Sequence, residues 1–236
     1  MQATLVAFAP ARAGIIARMI KTLPFTAVLW DMDGVLVDTF DGHYRAWSRL
    51  FAELQHPFTL EDFRRTFGMN NRNIFRALLG TDLPEEEFQR LSERKEDYFR
   101  TSVRGNTRAL PGALEWLERF HTLGIRQAIA SSAPQQNIDV HLDELGIRPW
   151  LEAAVSGEML PGKPDPAVFL RAAEVLAVPP ADCLVIEDSV QGVEAAKQGG
   201  MRCVAVLTTN PPEKLSRADW IVPDLTRLTL EQLRAL

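Results

Sequence analysis

The feature that most constrains this chain is a series of short, unbroken apolar runs, each followed by a helical stretch. Ala27-Val28-Leu29-Trp30 is the first. Similar runs follow at 127–130, 153–155, 183–186 and 203–207, with a weaker one at 220–222. Runs this short, with no charged residue inside them, suit strands buried on both faces. Between them lie amphipathic stretches at 113–123, 137–145, 166–176 and 190–199, the first two stopped by Gly124 and Gly146. Buried strands alternating with helices imply a parallel sheet covered on both sides, an α/β fold with a Rossmann-like core.

The stretch 39–107 breaks that alternation. It has helical periodicity at 43–54, 60–67, 73–79 and 85–99 and no convincing strand. A helical segment of this length between a first and a second strand reads as an inserted all-helical cap. The expected division is an N-terminal extension at 1–24, a core built from 25–38 and 108–236, and a cap at 39–107. Both junctions fall at the C-terminal edge of the sheet, where open α/β folds bind ligands. Tyr44 and Trp47 share one helical face and read as packing residues of the cap.

Composition narrows the function. Of 236 residues 46% are hydrophobic and 24% charged, the balance of an ordinary globular chain. The net charge of −5, with arginines scattered among acids, argues against nucleic acid. No apolar stretch approaches the roughly 20 residues of a bilayer span, and Pro10 and Arg12 interrupt the mildly apolar start. Neither a membrane nor a dedicated protein partner is expected. Cys183 and Cys203 each sit inside an apolar run, and as buried, reduced thiols they fit a cytoplasmic setting.

Four features stand in order, each at the end of an expected strand. In Asp31-Met32-Asp33-Gly34, residues two apart at a strand end project to one side, so both carboxylates face one cavity. Acids held this close repel unless a cation lies between them, and oxygen ligands suit Mg²⁺. Ser131-Ser132 offers a hydroxyl and backbone N–H groups at a strand-to-helix turn, a phosphate cradle or equally a helix cap. In Gly162-Lys163-Pro164-Asp165-Pro166 the prolines stiffen the loop and would aim Lys163, although a lone loop lysine is ordinarily just solvated. Ile186-Glu187-Asp188-Ser189 puts two acids after an apolar run, costly unless paired or metal-bound. A helix cap at Asp188 is the plainer alternative.

The ordered set resembles the haloacid dehalogenase-like hydrolase superfamily, and Trp30 through Thr39 looks like its β-phosphoglucomutase and sugar-phosphate phosphatase branch. The resemblance implies a Mg²⁺-dependent enzyme for a small phosphorylated metabolite. Asp31 would be the nucleophile and Asp33 the general acid–base. Mg²⁺ would be held by Asp31, Asp188, the backbone carbonyl of Asp33 and, through water, Glu187. Ser131, Ser132 and Lys163 would bind the phosphoryl oxygens. Three cap positions, His43, Arg72 and Lys95, match sugar-binding positions of the branch. The chain departs from the mutase pattern after its phosphate-binding serine: Ala133-Pro134-Gln135 stands where the mutase resembles Ser-Lys-Asn. Hydrolysis is therefore expected over phosphosugar mutation, and either over a non-catalytic sugar-phosphate sensor, since both Asp31 and Asp33 are present.

Overall fold

The computed structural model describes residues 23–236, so most of the expected N-terminal extension lies outside the described residues. Six strands, β1 (Ala27–Trp30), β2 (Arg126–Ser131), β3 (Ala153–Ser156), β4 (Cys183–Glu187), β5 (Arg202–Val206) and β6 (Trp220–Val222), form one parallel sheet. Their order is β3-β2-β1-β4-β5-β6. The α/β Rossmann-like fold expected above is the fold found. The chain leaves β1 towards β2 and later returns to place β4 on its other side. The C-terminal ends of β1 and β4 thus flank the point where the order reverses, the crevice in which such sheets bind ligands.

Four helices lie between β1 and β2: α1 (Phe40–Glu53), α2 (Leu60–Thr66), α3 (Asn71–Leu79) and α4 (Glu85–Val103). This segment contains no strand among the described residues. It has an apolar cluster of its own, in which Trp47, Leu50, Phe51, Phe63 and Phe75 are buried. A capping box starts α2, where Thr59 accepts from the Asp62 amide and Asp62 accepts from Thr59. The remaining helices are α5 (Ala113–Thr122), α6 (Gln135–Leu145), α7 (Ala167–Val175), α8 (Val190–Gln198) and the short α9 (Leu230–Arg234).

Alternation along the strands divides the core into two layers. Val28, Trp30, Ile129, Leu184 and Ile186 face α5 and α6, meeting Trp116, Phe120 and Ile138. Ala27, Leu29, Ala128, Ala130 and Val185 face α7 and α8, meeting Phe169, Ala172 and Val193. Cys183 and Cys203 are buried in this second layer and both are free thiols. No helix among the described residues is long and apolar enough to cross a membrane.

Phe120 is fully buried, with ring centroids 6.2 Å from Phe25, 6.0 Å from Trp30 and 5.1 Å from Trp116. Phe120→Ala should cost about 3–5 kcal/mol and lower the melting temperature by roughly 6–20 °C. A thermal melt showing less than about 1 kcal/mol of loss would mean this aromatic cluster does not anchor α5 to the sheet.

Candidate active site

The register of β1 against β4 sets the first half of the site. Trp30 is level with Ile186, and the Asp31 amide donates to the Ile186 carbonyl at 3.0 Å. Asp31 and Glu187, each one residue further on, therefore leave neighbouring strands side by side. Lys163 lies between them, its ammonium 2.6 Å from Asp31 Oδ1 and 2.6 Å from Glu187 Oε1. The second Glu187 oxygen accepts from the Asp188 and Ser189 amides at 2.7 and 2.8 Å and from the Ser189 hydroxyl at 3.0 Å.

Space is as tight as charge here. A Cβ on Gly192 would stand 1.6 Å from Glu187 Oε1, so α8 reaches the sheet edge only because residue 192 has no side chain. Gly34 turns the chain after Asp33 at φ +86°, and a Cβ there would strike Asp188. The cap of α8 is Ser189, whose hydroxyl accepts from the Gly192 amide, and Asp188 is left for other work.

Asp31, Glu187 and Asp188 bring carboxylate oxygens within 4.8 Å of one another, all buried. Asp188 Oδ2 is engaged by the Thr209 hydroxyl, while Oδ1 is buried with no hydrogen-bond partner. Three acids against one lysine leave the cluster short of positive charge. Burial pushes the Asp31 carboxyl up to about 8 even with Lys163 beside it. Burial also lifts Asp188 well above the usual carboxylate range, with repulsion from Glu187 and Asp31 adding to it. Burial favours a neutral lysine, but the charges of Asp31 and Glu187 hold Lys163 above its ordinary value. A crowded set of hard oxygen donors with one orphaned atom fits a magnesium ion.

Asp33, two residues on from Asp31, belongs to a different set. Its Oδ1 accepts from the Thr39 hydroxyl at 2.6 Å and lies 3.4 Å from His43 Nε2. His43 stacks on Phe99 at 3.7 Å, and its Nδ1 lies 2.9 Å from the Lys95 ammonium. An ammonium can only donate, so Nδ1 accepts and Nε2 carries the proton that faces Asp33. Burial and the Lys95 charge lower the His43 pKa, consistent with this neutral tautomer. Burial works against the Asp33 carboxylate, yet His43 and Thr39 together hold it below the carboxylate range. Lys95 also donates to Glu96 at 2.8 Å, and Glu96 accepts from Asn71 at 2.8 Å and from Asn137 at 2.6 Å.

Asp31, Asp33, His43, Lys95, Ser131 and Ser132 line one cleft between the sheet edge and the helical insert. Its cavity is about 40 Å³, room for about three waters. Ser132 donates to the Gly68 carbonyl of the insert at 2.9 Å, and Ser131 accepts from the Ala133 amide at 3.1 Å. Neither serine caps α6, which starts after Pro134. Arg72 is not brought to this cleft: its guanidinium pairs with Glu85 at 2.8 Å and lies 3.9 Å over the Phe88 ring. Contacting residues absent from the candidates drawn from the sequence include Thr39, Glu96, Asn137 and Thr209. Thr39 closes the stretch Trp30 through Thr39 quoted above and Glu96 directly follows Lys95, whereas Asn137 and Thr209 carry no local signal.

A sequence profile of the haloacid dehalogenase-like hydrolases matches residues 25–200. Protein CbbY from Rhodobacter capsulatus is 32% identical over 224 residues, covering 89% of this chain and 98% of its own length. A β-phosphoglucomutase from Bacillus subtilis is 34% identical over 215 residues, covering 88% of this chain and 93% of its own length. Against two chloroplastic Arabidopsis thaliana relatives the chain spans only 18% and 57% of their lengths. Among solved structures, a β-phosphoglucomutase from Clostridium difficile superposes with a TM-score of 0.80 at 26% identity, covering 89% of this chain and 96% of its own. The chain belongs to the haloacid dehalogenase-like hydrolases, a family of enzymes, and sits with their β-phosphoglucomutase and sugar-phosphate phosphatase branch.

Proposed function

We propose that this chain is a Mg²⁺-dependent phosphatase that hydrolyses a small phosphorylated metabolite, a sugar phosphate, through a phosphate ester on Asp31. The observation that supports this most is the partition of two carboxylates from one strand end. Asp31 lies in the acid cluster beside Lys163, and Asp33 lies with Thr39 and His43. A nucleophile and a proton carrier need this separation of environments.

In the proposed reaction a carboxylate oxygen of Asp31 attacks phosphorus and the bond to the leaving oxygen breaks. Asp33 gives that oxygen its proton. Water then attacks the phosphorus of the aspartyl phosphate and loses a proton to Asp33, releasing phosphate and restoring Asp31. Ser131, Ser132 and Lys163 steady the phosphoryl oxygens. Asp31, Asp188, the Asp33 carbonyl and Glu187 would hold Mg²⁺, which supplies the charge neutralisation that phosphoryl transfer needs. His43 and Lys95 orient Asp33. A dianionic phosphate beside Asp33 would raise its carboxyl towards a proton-carrying range. The segment 39–107 is proposed to act as a cap that excludes bulk water.

Hydrolysis is preferred to mutation because Ala133 and Pro134 line the cleft where a second phosphate would want a cation, and Arg72 is paired elsewhere. A mutase remains the second reading, carried by the His43–Lys95 pair at Asp33.

Phosphate release from sugar monophosphates should require Mg²⁺, vanish in Asp31→Asn and fall about 10²–10⁴-fold in Asp33→Asn. Glucose 6-phosphate forming from β-glucose 1-phosphate without free phosphate would replace the phosphatase with the mutase. Mg²⁺ at about a hundred times its Kd should add about 2.7 kcal/mol of stability, roughly 5–11 °C in melting temperature. Asp188→Ala should abolish that shift and leave the protein without Mg²⁺ at least as stable as wild type, because a buried unpaired carboxylate is gone. An undiminished shift in Asp188→Ala would remove Asp188 from the metal site.

A further inference from the structure

The start of α6 carries a residue that takes no part in the proposed steps. Asn137 sits on its first turn, 1% exposed, and is not among the residues that line the cleft. Its amide nitrogen donates to Glu96 Oε2 at 2.6 Å, and its carbonyl oxygen accepts from Arg100 at 3.2 Å. A carboxylate only accepts and a guanidinium only donates, so the two ends of the amide cannot be exchanged. Glu96 and Arg100 lie four residues apart on one face of α4, so Asn137 grips the insert from the core.

Glu96 divides its two oxygens between core and insert. Oε2 meets Asn137, while Oε1 accepts from Lys95 and from Asn71, each at 2.8 Å. Burial works against this carboxylate, yet the Lys95 charge and the hydrogen bonds from Lys95 and Asn71 hold it below the usual range. Lys95 in turn meets His43 Nδ1 at 2.9 Å, and His43 Nε2 faces Asp33 Oδ1 at 3.4 Å. The contacts therefore leave the core at Asn137, cross α4 and α1, and re-enter it at Asp33. Without Asn137, Glu96 Oε2 would be a buried oxygen with no donor among the described residues. It would then compete with His43 for the Lys95 ammonium, the group that fixes the His43 tautomer.

The same face of α6 backs His43 by a second route. His141, one turn beyond Asn137, packs edge-on against Phe99 with ring centroids 6.0 Å apart, and His43 stacks on Phe99 at 3.7 Å. Glu144 follows on that face. It accepts from the Gly105 and Thr107 amides at 2.8 and 3.2 Å, where the chain returns from the insert.

We infer that Asn137 is a positioning residue for proton transfer at Asp33: by fixing Glu96 it holds Lys95 on His43 and His43 on Asp33. The inference rests on the reading of Asp33 as proton carrier and adds to it a residue that touches no reacting atom.

The test compares kcat/KM, with Mg²⁺ present, for the best of a panel of sugar monophosphates and for acetyl phosphate. A sugar alkoxide needs a proton to leave, whereas acetate leaves as a stable anion. Asn137→Asp keeps the side chain's size and its acceptor for Arg100 but sets a second carboxylate against Glu96. It should lower the sugar-to-acetyl phosphate ratio by about tenfold or more, a share of the roughly 10²–10⁴-fold that acid–base assistance carries. The fall should come in kcat for the sugar phosphate, with KM near the wild-type value, since a merely loosened insert would raise KM. Asn137→Ala should act in the same direction. In the double variant Asn137→Asp/Glu96→Gln, donor and acceptor exchange sides: the new amide donates to the new carboxylate, and its oxygen still accepts from Lys95 and Asn71. That variant should recover most of the loss, as coupled sites do. Ratios cancel the fraction of folded enzyme, so a poorly folding variant does not imitate the effect. A ratio unmoved by both single substitutions, a loss confined to KM, or a double variant no better than Asn137→Asp overturns the inference and leaves the phosphatase standing. Wild-type hydrolysis of acetyl phosphate alone gives Asp33 no leaving oxygen to protonate and overturns it too. Hydrolysis of neither compound removes the phosphatase reading and the inference with it.

Discussion

One buried ammonium ties the C-terminal edge of the sheet together. Lys163 joins Asp31 at the end of β1 to Glu187 at the end of β4, across the point where the strand order reverses. Removing one partner of such a buried set typically costs about 3–5 kcal/mol, because the surviving charges are stranded away from water. The neighbouring details depend on this contact. Glu187 can be pinned by Lys163 and by the Asp188 and Ser189 amides only because Gly192 leaves room for it. The start of α8, the lysine loop and two strand ends are thereby locked into one unit.

The set around Asp33 is built differently, from residues on the insert and on its flank. Lys95, His43 and Thr39 pass hydrogen bonds to a carboxylate that belongs to the sheet. Glu96 extends the chain in the other direction to Asn137 on α6. The environment of Asp33 is therefore complete only while α1 and α4 lie against the sheet edge, whereas that of Asp31 is complete in the core alone. Two carboxylates two residues apart answer to two different bodies of structure.

The sheet was legible because its signal is local. Each apolar run in the sequence became a strand, with ends moved by a residue where Arg126 and Glu187 continue the ladder despite their charge. The short helix Leu230–Arg234 was not read, since it is a single turn or so held by the Thr229–Gln232 capping box rather than by periodicity. In the site, Lys163 was nameable from its stiff loop, but its contact with Asp31, 132 positions earlier in the chain, was not. Asn137 and Thr209 escaped notice for the same reason. An asparagine on α6 and a threonine after β5 look like ordinary surface residues until the fold sets them against Glu96 and Asp188. Arg72 shows the reverse: a motif position drew attention to it, and tertiary packing gave it to Glu85 and Phe88.

The narrowness of the cleft governs how any ligand meets it. At about 40 Å³ the space between Asp33, Lys95 and Ser131 holds a few waters and no sugar. Were a sugar phosphate to enter only through a more open arrangement of the insert, the measured affinity would be the intrinsic affinity scaled down by the population of that arrangement. If the open form were about one molecule in ten, every apparent dissociation constant would be tenfold weaker than the contacts warrant. Substitutions that only loosen the seam, such as at Asn70 where it donates to the Leu160 carbonyl at 3.3 Å, touch no ligand. They would nevertheless shift all affinities together and leave discrimination between substrates unchanged.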